Sequence, residues 1–179
     1  LDEVMPGIVR SAFENQGEIC LCGSRLFVEA PLYDRFVAAF ADAVGQLRIG
    51  DPLDEATEQG ALVSAGHRDK VESYVALARE LGGEVVTGGG RPTGLPARVR
   101  DGYFVQPTVV TGLPVDCRVN TEEIFGPVVT ITPFSSGSGA SSPRRPRPAS
   151  SAGFVDPRHA AVDRGQDLVR DRAGPLGEV

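Results

Sequence analysis

The chain has 179 residues, 41% of them hydrophobic and 23% charged, with 18 basic against 24 acidic side chains and a formal net charge of −6. That length allows one domain, or at most one and a fraction, which excludes a large multidomain enzyme. The acidic balance argues against non-specific phosphate binding, and there is no run of about 18 apolar residues to cross a membrane.

The opening segment, LDEVMPGIVR, is acidic and then mixed, unlike a secretory signal, and it starts at Leu1 rather than Met. A piece of a longer protein is therefore expected. A β-like run follows at 25–29. From Pro31 to Leu47, Leu32, Phe36, Val37, Phe40, Val44 and Leu47 recur at three- and four-residue steps, which predicts a helix over 31–47. Pro31 suits its first turn, and Gly50-Asp51-Pro52 stops it. Val71, Tyr74, Val75, Ala78 and Leu81 predict a second helix over 65–81, closed by Gly82-Gly83. Further strands are expected at 84–87, 104–110 and 128–134, with a surface loop over 88–102. Strands alternating with helices of this length imply an α/β fold, a mostly parallel sheet with flanking helices. Gly88-Gly89-Gly90 lacks the GxGxxG spacing and runs into Arg91-Pro92, so it reads as a plain turn rather than a phosphate cradle.

Composition divides the chain near Phe134. Ser135 to Gly153 contains only Ser, Gly, Ala, Pro and Arg, which cannot offset the entropy of ordering. The expected domains are thus 1–134, acidic at −8, and an irregular tail, 135–179, at +2. In the tail, PRRPRP could serve as a polyproline ligand or a basic nucleic-acid arm, while 154–179 has no sustained apolar stripe. Only Lys70 among the basic residues is lysine. An Arg-, Pro-, Ser-, Gly- and Ala-rich tail matches GC-rich codons, so a frameshift-like reading is expected.

Phe13 to Arg25, FENQGEICLCGSR, holds two of the three cysteines. An odd count and no secretory pattern point to the reducing cytoplasm. Cys20 is either a small buried hydrophobe or a nucleophile, the latter requiring an environment that lowers a thiol pKa from about 8.5 towards roughly 3.5–7.5. Cys22 completes a C-x-C pair, but the only histidines, His67 and His159, lack ligand spacing, so no metal site is read. His67 is expected to sit exposed near a helix start. Thr121 to Val129, TEEIFGPVV, places two adjacent carboxylates before a Gly-Pro turn. Taken alone, Glu122 and Glu123 read as solvated.

Taken together, the two stretches resemble the aldehyde dehydrogenase family. FENQGEICLCGSR fits that family's F-x-N-x-G-Q-x-C-x-x-x-x-R signature at Phe13, Asn15, Gly17, Cys20 and Arg25, and EEIFGPV is its second signature. GDPLDEATEQGALVSAGHRDKVESYV and GYFVQPTVVTGL between them are also similar to the family, with most resemblance to its 2-aminomuconate and 2-hydroxymuconate semialdehyde branch. The resemblance implies a partial aldehyde dehydrogenase catalytic domain in which Cys20 is the nucleophile that forms a thiohemiacetal and then a thioester. It implies that the Cys20 backbone N–H serves an oxyanion, Glu123 binds the nicotinamide-ribose hydroxyls, and Phe125 packs near the nicotinamide. The implied cofactor is NAD, with NADP as the alternative. The partners implied are a small-molecule aldehyde and, for an intact member, further copies of itself, rather than nucleic acid or membrane. Cys22 matches no catalytic position. Glu18, where the wider family carries Gln, is a candidate for substrate tuning.

The family's dinucleotide-binding domain, general-base glutamate and second oxyanion donor precede the cysteine signature, so the chain by itself is expected to turn over poorly. The alternatives are a non-enzymatic module that pairs with a full-length relative, and a thiol-redox protein using Cys20 and Cys22.

Overall fold

A computed structural model describes residues 1–135 and the backbone of a two-residue strand at 153–154. The segment that opens the chain is a helix, α1 (Met5–Phe13), whose second residue is Pro6 and whose Met5, Ile8, Val9, Ala12 and Phe13 are buried. This spacing is helical, and proline is tolerated in a first turn because its missing N–H would find no partner there. Strand β1 (Arg25–Glu29) leads through a 3₁₀ turn at Ala30–Leu32 into α2 (Tyr33–Gly45). The expected helix over 31–47 is therefore shorter at both ends. Helix α3 (Ala65–Glu80) starts at Ser64, whose side chain accepts from the His67 backbone N–H. Such a cap satisfies one of the orphan donors of the first turn.

The remaining elements are β2 (Glu84–Thr87), β3 (Thr108–Thr111), the single turn α4 (Arg118–Thr121), β4 (Val128–Phe134) and β5 (Gly153–Phe154). The strand expected at 104–110 begins only at Thr108. Pro107 has no N–H to give a ladder, and the segment before it is instead tied to neighbouring loops, by Leu62 N–H to the Tyr103 carbonyl and Gln106 N–H to the Gly90 carbonyl. The Gly88–Gly90 run enters that long loop, with Gly88 and Gly89 at positive φ, and no helix follows it.

The sheet order is β2-β3-β4-β1-β5. Strands β3, β4, β1 and β5 run parallel, with Arg25 opposite Thr130 and Thr108 opposite Val128, while β2 pairs antiparallel to β3. The α/β architecture with a mostly parallel sheet is that implied by the sequence. Side-chain alternation divides the core in two. Val109, Val129 and Ile131 face α1 and α2, where Phe13, Phe36 and Phe40 stack at 5.6–6.2 Å. Val110 and Val128 face Val71, Val75 and Ala78 of α3, with Val119 and Ile124 beside them. The tail expected over 135–179 falls, apart from Ser135 and the backbone of β5, outside the described residues. Among the described residues no helix is long and apolar enough to cross a membrane.

Candidate active site

Between α1 and β1 the chain makes a left-handed turn. Asn15, Gln16 and Gly17 take φ of 51°, 57° and 70° in succession. Two of these are not glycine, and each non-glycine residue there costs about 1–2 kcal/mol. The turn is closed by Glu18 N–H to the Asn15 carbonyl, while the Asn15 amide donates to the Glu18 carbonyl, both at 2.9 Å. Gly17 allows a close approach: a Cβ there would run into the carbonyl of Gly126, in the second motif. On its far side, Gly126 abuts Val71 of α3.

The next turn, closed by Cys22 N–H to the Ile19 carbonyl, carries Cys20 and Leu21 at its apex. Cys20 is exposed, so it is not the buried hydrophobe it could have been. Cys22 is that hydrophobe: it is 5% exposed, its thiol donates to the Ala12 carbonyl at 2.8 Å, and burial pushes it up to about 11. A second bond, Gly23 N–H to the Ser11 carbonyl, latches the loop to α1 before Ser24 hands over to the β1–β4 ladder.

Helix α4 and the turn after it carry the two carboxylates, and the structure separates their roles. Glu122 is gripped by the Arg118 guanidinium at 2.8 and 3.0 Å and by the Tyr74 hydroxyl at 2.5 Å. Those hydrogen bonds hold its carboxyl well below its usual value of 4.5, at about 2. It tethers α4 to α3 while its side chain stays 40% exposed, so it is bonded and solvated at once. Glu123 lines a shallow, open cleft, together with Phe125, Arg25 and Ile19. Burial pushes the Arg25 guanidinium down, and the Glu123 carboxylate raises it again. The backbone of this loop is held from α3, by Lys70 Nζ to the Glu123 carbonyl at 3.0 Å and His67 Nε2 to the Phe125 carbonyl at 2.6 Å. Phe125 has φ of 61°, a left-handed conformation in a bulky residue.

Of the residues named from sequence, Glu123 and Phe125 share this cleft; Cys20 sits on the loop whose flanks, Ile19 and Cys22, also line it, but is not itself in the lining. The expectation that His67 is exposed is overturned. Its ring is 16% exposed and meets the Glu18 carboxylate at 3.3 Å, because the Ser64 cap turns the start of α3 onto both loops. The Thr130 hydroxyl, buried in the cleft wall, has no hydrogen-bond partner among the described residues.

The family model described as the aldehyde dehydrogenase family matches residues 1–141. The 2-aminomuconic semialdehyde dehydrogenase of Mus musculus is 45% identical over 137 residues, 76% of this chain and 28% of that protein. The 2-hydroxymuconic semialdehyde dehydrogenase of Pseudomonas putida is 46% identical over 136 residues, again 76% and 28%. A crystal structure of betaine aldehyde dehydrogenase from Staphylococcus aureus in complex with NAD+ superposes with a TM-score of 0.71 at 34% identity, covering 75% of this chain and 26% of that one. The NAD+ complex of an aldehyde dehydrogenase from Bacillus cereus gives 0.69 at 35% identity, over 75% and 26%. The chain thus spans about 28% of the length of the curated relatives it matches.

Proposed function

The chain belongs to the aldehyde dehydrogenase family, and from that premise we propose that it supplies the nucleophile and the nicotinamide-ribose site for oxidation of an aldehyde to a carboxylate. The observation that carries this reading is the backbone contact of Gly17 with Gly126, which sets the Cys20 loop and the Glu123–Phe125 loop against one cleft.

In this reading the Cys20 thiolate attacks the aldehyde carbon, and a C–S bond forms as the carbonyl oxygen takes the electron pair. Among the described residues the Cys20 N–H meets no acceptor, so it is free to receive that oxygen. A bound nicotinamide dinucleotide supplies the acceptor for the hydride that leaves the thiohemiacetal carbon. Water then hydrolyses the thioester on Cys20 and releases the carboxylate and the thiol.

The residues present suit the ribose and nicotinamide end of such a cofactor. A carboxylate accepts from two neighbouring hydroxyls, Phe125 offers an apolar face, and the unpaired Thr130 hydroxyl leaves a polar contact for an occupant. NAD is the assignment supported by solved relatives crystallised with NAD+. Relatives named for 2-aminomuconic and 2-hydroxymuconic semialdehydes support an acid semialdehyde as substrate.

We place the family segment at 1–134 and read 135–179 as a low-complexity, frameshift-like tail. An intact family continuation in another reading frame of the locus supports that boundary, and its absence from every frame sinks it.

The nucleophile is tested by treating the purified chain with p-nitrophenyl acetate and mapping the acetyl group. Faster acetylation of Cys20 than of a thiol in a short unfolded peptide supports the reading, and equal rates overturn it.

A further inference from the structure

We propose that His67 is a positioning residue that clamps the two loops of the candidate site together through a single N–H. The ring reaches both loops: its Nε2 lies 2.6 Å from the Phe125 carbonyl oxygen, in hydrogen-bond geometry, and 3.3 Å, an ion-pair distance, from Oε1 of Glu18. Both neighbours are acceptors, a carbonyl and a carboxylate. A bare Nε2 would set lone pair against lone pair in each direction, so Nε2 carries the hydrogen, bonds it to the Phe125 carbonyl and turns its positive end towards the nearby Glu18 carboxylate.

The clamp spans the places that matter to the site. Glu18 lies two residues before Cys20, and Phe125 lies two after Glu123. The Glu18 carboxylate has a second anchor in the Val63 N–H at 3.2 Å, just before the cap of α3. Glu18 and His67 side chains are only 12% and 16% exposed, so water competes weakly for these bonds. The Phe125 ring meets the His67 ring edge-on at 6.3 Å, so the same imidazole contacts both the backbone and the side chain of Phe125.

The backbone explains why a clamp is needed. Phe125, Asn15 and Gln16 are the described non-glycine residues at positive φ, and all three lie in the two loops that His67 joins. Strained residues persist only where their surroundings over-determine them. On the far side of the loops, the Gly17–Gly126 contact supplies proximity but no polar bond. The His67 N–H supplies that bond and fixes the direction of the Phe125 carbonyl, and through it the orientation of the Glu123–Phe125 peptides at the cleft.

This deepens the aldehyde reading, on which its purpose rests, but its test requires no turnover. The chain has two histidines, so selective ¹⁵N-histidine labelling, with His159→Gln for assignment, isolates the His67 ring. The expected result is a hydrogen on Nε2 throughout the pH range in which the chain is folded. A neutral ring protonated only on Nδ1 overturns the proposal. In parallel, amide exchange is followed at 15–22 and 121–126 in His67→Leu and His67→Gln, with β3 and β4 amides as the internal reference. His67→Leu is expected to speed exchange about tenfold in both segments, and Gln, which retains an N–H donor, to restore most of the protection. Acceleration in one segment only, or equal exchange in the two variants, overturns the clamp. If His67→Leu fails to fold, the ring nitrogen of the unsubstituted chain still decides. Failure of Cys20 to acetylate would sink the aldehyde reading and leave both of these readouts intact.

Discussion

The α-carbon of Gly17 faces the carbonyl of Gly126 so closely that no side chain fits between them, and Gly17 also holds φ of 70°. Gly17→Ala therefore meets two penalties at once: the left-handed conformation, about 1–2 kcal/mol, and overpacking, about 1–3 kcal/mol. A loss of roughly 2–4 kcal/mol is expected in urea unfolding. Gly7→Ala is the control with opposite sign. Gly7 is exposed within α1 with open space around it, and alanine should gain about 0.5–1 kcal/mol there. Equal effects of the two substitutions would contradict the packing described.

Glu122 and Glu123 should separate under acid. The Glu122 carboxyl is held at about 2 in the folded chain against an ordinary 4.5. A folded pKa below the unfolded one means stability that is fully present above about 4.5 and lost as pH falls towards 2. Melting temperatures of the parent and Glu122→Gln should differ by a constant amount above that window, converge through it and coincide below it. Tyr74→Phe should shrink the gap, because the Tyr74 hydroxyl is one of the bonds that depress the carboxyl. A gap that persists below pH 2 would contradict this assignment.

How much of this could be read in advance depended on whether the signal was local. Helices α2 and α3 and strands β1, β2 and β4 follow from apolar spacing and glycine or proline stops within each segment. Helix α1 also had its signal, Met5, Ile8, Val9, Ala12 and Phe13 at helical steps, with the spacing masked by a proline and a glycine near its start. The roles of the carboxylates were not legible: adjacent in sequence, Glu122 and Glu123 are told apart by the bonds of Glu122 to Arg118 and to Tyr74, the latter 48 residues away. Arg118, four residues before Glu122 on one helical turn, was the local hint. His67 was misplaced for the same reason. Ser64-x-x-His67 marks a capped helix start, but nothing nearby reveals that the start faces Glu18 and Phe125.

The thiols should divide sharply in the folded chain. Cys20 is exposed at a turn apex, whereas Cys22 is buried, bonded to the Ala12 carbonyl and raised to about 11. Iodoacetamide at pH 8 should modify Cys20 first, and Cys22 only after denaturation, because the thiolate is the reacting species. Cys20→Ser should abolish the fast phase, and Cys22→Ser should leave it unchanged. A fast phase that survives Cys20→Ser and maps to Cys22 rather than to the half-buried Cys117 would contradict the exposure pattern.

The cleft should bind the nicotinamide-ribose half of the cofactor through Glu123 and not through its neighbour. Nicotinamide mononucleotide is the suitable probe, since it carries the ring, ribose and one phosphate without the adenosine half. Removing the charge from an acceptor of two hydroxyls sacrifices charge-assisted hydrogen bonds of about 1.5–3 kcal/mol, or roughly ten- to a hundredfold in affinity. Glu123→Gln should therefore weaken binding by at least about tenfold in an NMR titration. Glu122→Gln should not do so directly, because its carboxylate is committed to Arg118 and Tyr74. Phe125→Leu keeps an apolar side chain but loses the aromatic face, so it should have a smaller effect than Glu123→Gln. Equal weakening by Glu122→Gln and Glu123→Gln at pH 7 would mean that the substitutions act through loop structure, and the assignment of Glu123 to the ribose would fall.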